Sequence, residues 1–96
     1  MRQLDLVTEE LEAYLNEKYK YVDDSLVVLS DDTIDRGQYW LFFYINRKYL
    51  ETNDLSDIIV GNAPIIINKL TGEKHTTGTV YSIEYYMNEY EKKLMR

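Results

Sequence analysis

The 96-residue sequence contains no cysteine, one histidine, one proline and four glycines. Without cysteine there are no disulfides, thiolate metal sites or sulfur nucleophiles, which fits a reducing compartment. Four scattered glycines form no P-loop, no dinucleotide-binding turn and no nucleophile elbow. The sole histidine, His75, sits in a threonine-rich stretch with no nucleophile motif beside it. A general base needs a positioned proton-donor partner, so His75 reads as a solvent-facing strand residue. No apolar run approaches the ~20 residues needed to cross a bilayer, and residues 1–10 have no apolar signal-peptide core. The expectation is a soluble cytoplasmic protein with no membrane partner. A surplus of basic residues is missing too, since 17 acids against 11 bases give a formal net charge of −6. Such a chain repels phosphate backbones, so nucleic acid is not an expected partner, whereas a basic protein surface is attracted. These absences argue against an enzyme, a bound cofactor and a metal.

What the sequence does have is aromatic and apolar bulk, 45% hydrophobic with ten tyrosines. It is concentrated in Gln38-Tyr39-Trp40-Leu41-Phe42-Phe43-Tyr44-Ile45-Asn46, which reads as the central strand of a sheet. Alternation places Leu41, Phe43 and Ile45 on one face and Trp40, Phe42 and Tyr44 on the other. The first face suits a core under a helix. The second carries an indole N–H and a phenol O–H, so it is covered by a loop, covered by a second helix, or used for binding.

Around this strand the pattern is regular. Leu4, Val7, Leu11, Tyr14 or Leu15, and Lys18 or Tyr19 mark a helix over about 3–20, with Glu9, Glu10 and Glu12 on or beside its solvent side. Asp23-Asp24-Ser25 is turn chemistry. A strand follows over 26–34, the aromatic strand over 38–46, and Asn46-Arg47-Lys48 turns into a short return at Tyr49-Leu50. Asp54–Val60 forms a helical turn or two with Leu55, Ile58 and Ile59 inward. Strands at 64–69 and 74–81 make a hairpin around Lys69-Leu70-Thr71-Gly72, with Gly78 marking a bulge or a close approach. Ser82 caps a last helix at 83–94 whose stripe is Ile83, Tyr86 or Met87, Tyr90 and Leu94. The expected fold is α+β: one small domain over 1–96, an N-terminal helix, a four-stranded antiparallel sheet and a C-terminal helix.

Residues 1–35 hold ten acids and three bases, against seven and eight in residues 36–96. Asp31, Asp32 and Asp35 concentrate this charge on a bend just before the aromatic strand. A calcium loop needs ligands at alternate positions, a Gly and a terminal Glu, none of which is present, so the three carboxylates do not read as a metal site. They read instead as a surface that steers a basic partner, with Tyr44 and Tyr49 as nearby anchor candidates.

Three pieces in this order, Trp40-Leu41-Phe42-Phe43-Tyr44, Gly61-Asn62-Ala63-Pro64-Ile65-Ile66-Ile67 and Lys69-Leu70-Thr71-Gly72-Glu73, resemble the immunity protein 35 family, or YrhB-like domain. The similarity covers roughly residues 26–90, with the N-terminal helix matching in position more than in identity. The resemblance implies a small bacterial α+β protein encoded beside polymorphic toxins, protecting the producing cell by binding a cognate toxin. It makes Trp40, Gly61, Asn62, Pro64 and Gly72 signature positions, with residue types that suit scaffold roles. A family member described as chaperone-like supplies the alternative, a housekeeping chaperone-like or ligand-binding module without a toxin. Genomic context separates the two, and homodimerisation is left open.

Overall fold

A computed structural model describes residues 2–20, 23–58 and 62–95. Of the sequence expectations, those on Ile59, Val60 and Gly61 lie outside the described residues. The chain runs α1 (Leu4–Lys18), β1 (Leu26–Val28), a 3₁₀ turn (Ser30–Asp32), β2 (Ile34–Asp35), β3 (Tyr39–Phe42), β4 (Tyr44–Asn46), α2 (Arg47–Thr52), a second 3₁₀ turn (Leu55–Asp57), β5 (Ile65–Asn68), β6 (Lys74–Thr76) and α3 (Ile83–Leu94). All strand pairs are antiparallel. The main sheet has the order β2-β3-β5-β6, and β1-β4 forms a separate two-stranded ladder.

The four residues of β3 are all buried, and their alternation divides the molecule into layers. Trp40 and Phe42 pack with Ile65 and Ile67 of β5 against Val7, Leu11 and Leu15 of α1, joined by Leu26 and Val28. Tyr39 and Leu41 pack with Ile66 against Met87 and Tyr90 of α3, with Ile34, Phe43 and Leu94 at the margin. The sheet is therefore covered by a helix on each face. The face of Trp40, Phe42 and Tyr44 is covered by α1, and that of Leu41 and Phe43 by α3. Ile45 is half-buried.

Both long strands expected from the sequence are broken. Between the pairs Val28↔Tyr44 and Ile34↔Leu41, one strand spends five residues and the other only two. The excess of three matches the 3₁₀ turn Ser30–Asp32, entered by a bond from Leu29 N–H to the Phe43 carbonyl at 2.8 Å. The insertion shifts the register and sends the chain from the small ladder into the main sheet. Among the described residues the count thus becomes six strands, four of them in the main sheet.

Two other segments differ from expectation. Arg47–Thr52 is a helix, not a turn and short return, and its N–H at Lys48 is bonded by Asp24 Oδ1 at 2.9 Å. Strand β6 ends at Thr76, well short of 81. Gly78 lies where a Cβ would meet the Tyr86 hydroxyl at 2.5 Å. That oxygen accepts the Val80 and Tyr81 N–H groups at 3.2 Å each, so this backbone bonds to a side chain in place of a strand. Leu55, expected inward, is 75% exposed.

The free edge of β1 is closed by α1. Asn16 Oδ1 accepts the Leu26 N–H at 2.7 Å, Asn16 Nδ2 donates to the Leu26 carbonyl at 2.9 Å, and Glu12 Oε2 accepts the Val28 N–H at 2.9 Å. Glu12 therefore turns inward to satisfy an edge that would otherwise template pairing with another chain.

Trp40 is 5% exposed, with Phe42 6.3 Å away centroid to centroid and Lys69 Nζ 5.0 Å above its ring. Trp40→Ala is expected to destabilise the fold by ~3–5 kcal/mol, as large aromatic truncations in cores do. Urea or thermal unfolding beside the wild type measures it; a loss under ~1 kcal/mol would contradict the packing described.

Candidate protein-interaction surface

The three bend aspartates are not equivalent. Asp31 and Asp32 lie exposed on the 3₁₀ insertion, at the rim of an open depression of about 480 Å³ over Val28, Leu29 and Ser30. Asp35 is engaged by the fold. Its Oδ1 accepts from Lys69 Nζ at 2.7 Å and from the Gly37 N–H at 2.8 Å, closing a turn in which Gly37 has φ +90°. The Lys69 ammonium and the Gly37 N–H hold the Asp35 carboxyl below the usual range. Lys69 is itself buried, so this contact keeps a cation stable beneath the sheet.

The tyrosines named beside the bend are also placed unequally. Tyr44 is half-buried against the α1-side core, and burial pushes its phenol pKa up. Tyr49 lies half-buried in α2, where its carbonyl accepts the Asn53 N–H at 2.7 Å. Arg47 staples α2 to the turn before β1, donating to Ser25 Oγ, to the Asp23 carbonyl and to Glu51. Arg36 is held by Glu91 Oε2 at 2.9 Å.

Among the signature positions, Gly72 has φ +76° and sits directly beneath the Arg2 guanidinium, which donates to the Thr71 carbonyl. The loop is closed from the other side by Asn68 Oδ1, which accepts the N–H groups of Leu70 and Thr71. The Pro64 carbonyl accepts both the N–H and the hydroxyl of Thr77, at 2.9 and 2.6 Å. Asn62 is half-buried.

Two polar nodes fasten the layers. At Asp24, burial pushes the carboxyl up, but the Lys48 N–H, the Asn46 amide, the Tyr19 hydroxyl and the Ser25 N–H together pull its pKa down to about 2. These bonds run from 2.8 to 3.0 Å. They link the end of α1, the start of β1, the end of β4 and the first turn of α2. The fully buried Asn46 also donates to the Asp57 carbonyl at 2.6 Å. At the second node, the buried Tyr39 hydroxyl donates to Glu91 Oε2 at 2.6 Å, tying β3 to α3. Burial and the Glu91 charge raise the Tyr39 pKa, while the Tyr39 hydroxyl and Arg36 lower that of Glu91.

His75 pairs with Ile66 across the β5-β6 ladder and is half-buried, its ring 5.6 Å from that of Tyr90. It therefore turns toward α3 instead of into solvent. Surface grooves of about 220, 280 and 300 Å³ lie at or below the lower end of the ~300–1,000 Å³ range of common small-molecule sites, and the depression of about 480 Å³ beside Asp31 and Asp32 is open to solvent. Among the described residues, no three His, Cys, Asp or Glu side chains gather as metal ligands would, and no helix is long and apolar enough to cross a membrane. The features with room for a partner are surfaces. Besides the acidic insertion there is a second one that periodicity did not indicate: Val80, Tyr81, Ile83 and Tyr85 are exposed around the start of α3.

Residues 8–92 match the family profile described as immunity protein 35. The chain belongs to the immunity protein 35 family. The match reaches from α1 to α3, so it takes in most of the first helix as well as the sheet and the last helix. Within curated proteins, the chain is 38% identical over 76 residues to an uncharacterized Escherichia coli (strain K12) protein, YrhB, covering 76% of this chain and 79% of that protein. No solved structure matches the chain significantly. For this immunity protein 35 family member, Asp24, Asp35 and Glu91, whose carboxyl pKa values their partners lower, all serve contacts between elements, and Asp31 and Asp32 stand apart as exposed charge.

Asp24→Asn is expected to destabilise the protein at pH 7 by about 1–3 kcal/mol, the cost of leaving partly buried donors without a charged acceptor. The native pKa lies below the ordinary value of ~3.9, so the stabilisation is present above that pH. It is lost as the pH falls through about 2. Melting curves from pH 7 to pH 2 should therefore converge for wild type and variant at the acid end. A constant gap would remove Asp24 from this role. Asp35→Asn is expected to lower the melting temperature, because Lys69 loses its counter-charge, whereas Asp31→Asn with Asp32→Asn leaves it within a few degrees. Equal melts for the two variants would dismiss the distinction.

Proposed function

We propose that this chain is a non-catalytic immunity protein that neutralises a cognate bacterial toxin by stoichiometric binding, in the cytoplasm of the producing cell. The observation that carries the reading is the family match across residues 8–92. The side-chain chemistry supports it. Asp24, Asp35, Tyr39 and Glu91, whose pKa values are displaced, are engaged in contacts that fasten elements to one another, which does not suit a general acid or base. Protection then comes from covering a functional surface of the toxin. The exposed carboxylates of Asp31 and Asp32 beside an open depression, on a chain of net charge −6, favour a toxin with a basic surface and speed its encounter.

The first test is genomic context, where a large toxin gene immediately upstream supports the reading and an isolated gene opposes it; the second is co-expression with the toxin so found. Cells should survive in proportion to the amount of this protein, and the two chains should co-purify at equal stoichiometry. Asp31→Asn with Asp32→Asn should slow association by about tenfold at low salt and flatten its salt dependence, leaving dissociation nearly unchanged. Protection at strongly substoichiometric amounts, or no complex at all, would defeat the proposal.

A further inference from the structure

The groove of about 220 Å³ between α1 and the β5-β6 hairpin carries charge that the fold leaves unused. Val7, Leu11 and Ile67 line it from the core, and Arg2, Glu10, Gly72 and Lys74 line it nearer the surface. Among the described residues, Arg36, Arg47, Lys48, Lys69, Lys92 and Lys93 each pair with a carboxylate within 4.0 Å. Arg2 and Lys74 do not, although the chain holds 17 acids. The Glu10 carboxylate has no ion pair or hydrogen bond among the described residues either.

Both cations are nevertheless positioned. The Arg2 main-chain N–H donates to the Lys69 carbonyl at 3.1 Å, and its guanidinium donates to the Thr71 carbonyl at 2.9 Å. That guanidinium occupies the space a side chain at 72 would take, since a Cβ there would meet it at 2.5 Å. Lys74 Nζ lies 5.1 Å from the centre of the Tyr14 ring, and Lys18 Nζ fixes that ring by donating to its hydroxyl at 2.9 Å. Arginine has five N–H donors and lysine three, so one side-chain bond to Thr71 leaves most of them unspent. Unspent donors and an unspent carboxylate therefore line the same concavity.

From this we infer that the groove binds a small zwitterion, a free α-amino acid, its carboxylate held by Arg2 and Lys74 and its ammonium by Glu10. Charges of both signs select this class. A plain anion meets Glu10, and a plain cation meets Arg2 and Lys74. An extended polyanion such as a nucleic acid also meets Asp5, Glu9 and Glu17, the other exposed acids of α1. The arginine fork matches a carboxylate bidentately, and the volume suits a ligand smaller than the usual drug-sized molecule. The site is independent of toxin neutralisation, and its test needs no toxin.

The experiment titrates the full chain with each standard amino acid at constant ionic strength, following amide shifts by NMR. At least one should shift the amides of Glu10, Leu11, Gly72 and Lys74 saturably. The tightest is then compared with its analogue lacking the amine and its analogue lacking the carboxylate, as propionate and ethylamine are to alanine. Each analogue should bind about fivefold more weakly or worse, the factor of one exposed ion pair. Glu10→Gln and Lys74→Gln should each raise the Kd of the amino acid by about fivefold as well. Both variants should melt within a few degrees of wild type, because neither side chain has a charged partner to lose. If a variant fails to fold, the comparison of the analogues on wild type decides. An amine-free analogue that binds as tightly as the amino acid would make this a plain anion site and refute the zwitterion; an equally tight carboxylate-free analogue would refute it in the same way. Saturation by no amino acid would overturn the site. Shifts that stay linear in ligand, or that persist unchanged in both variants, mean an adventitious additive only and would overturn it too.

Discussion

Burying both faces of one strand is the constraint on which the rest of this structure depends. Tyr39, Trp40, Leu41 and Phe42 are 0–5% exposed, and consecutive strand residues point in opposite directions. No single layer can cover such a strand. The chain meets the requirement with a helix from each end, α1 over Trp40 and Phe42 and α3 over Tyr39 and Leu41. Strand β5 repeats the division, with Ile65 and Ile67 toward α1 and Ile66 toward α3. Each large aromatic buries roughly 150–250 Å², so this strand and its immediate neighbours supply much of the apolar burial available to so short a chain.

Polar groups then decide how the layers are joined. Tyr39 brings a hydroxyl into the α3-side core, and its burial is stable because Glu91 accepts the proton donor and Arg36 neutralises Glu91. Asp24 does the same at the opposite end, where four donors converge on one carboxylate. Glu12 and Asn16 close the outer edge of β1 in the small ladder, and Lys74 lies on the short β6 edge of the main sheet, so these two edges carry devices that discourage strand addition. A chain with many acids thus uses several of them internally, and net charge alone overstates how much acidic surface is free.

On the proposal that the chain occludes a toxin, rigidity of the displayed surface matters more than reactive chemistry. The two display regions are built differently. The 3₁₀ insertion Ser30–Asp32 exists because two ladders differ in register by three residues, and it carries Asp31 and Asp32 outward. The Val80–Tyr85 region exists because Tyr86 draws the loop onto its hydroxyl. One offers charge, which acts at a distance; the other offers aromatic area, which acts on contact. Encounter and anchoring are separable properties of a protein interface.

The sequence by itself determined the elements whose signals are local. The three-to-four spacing of Val7, Leu11 and Leu15 and the Ser82 cap with Met87 and Tyr90 place both long helices, at Leu4–Lys18 and Ile83–Leu94, close to the expected bounds. Alternation separates the two faces of the aromatic strand, and the Asn68–Gly72 turn specifies the β5-β6 hairpin. The three quoted motifs also carry the family, whose match over residues 8–92 is wider than those motifs alone. Other features depend on partners distant in sequence. The two breaks at Ser30–Asp32 and Phe43 follow from register between ladders, and α2 is capped by Asp24, 24 residues before Lys48. Glu12 turns inward to reach β1, and Asp35 is bound by Lys69 while Asp31 and Asp32 remain exposed. The exposed Val80 and Tyr81 stand where a strand was expected because a phenol eight residues from Gly78 takes the backbone donors. Periodicity states which side chains share a face, but which acceptor a given N–H finds is settled only when the chain has closed on itself.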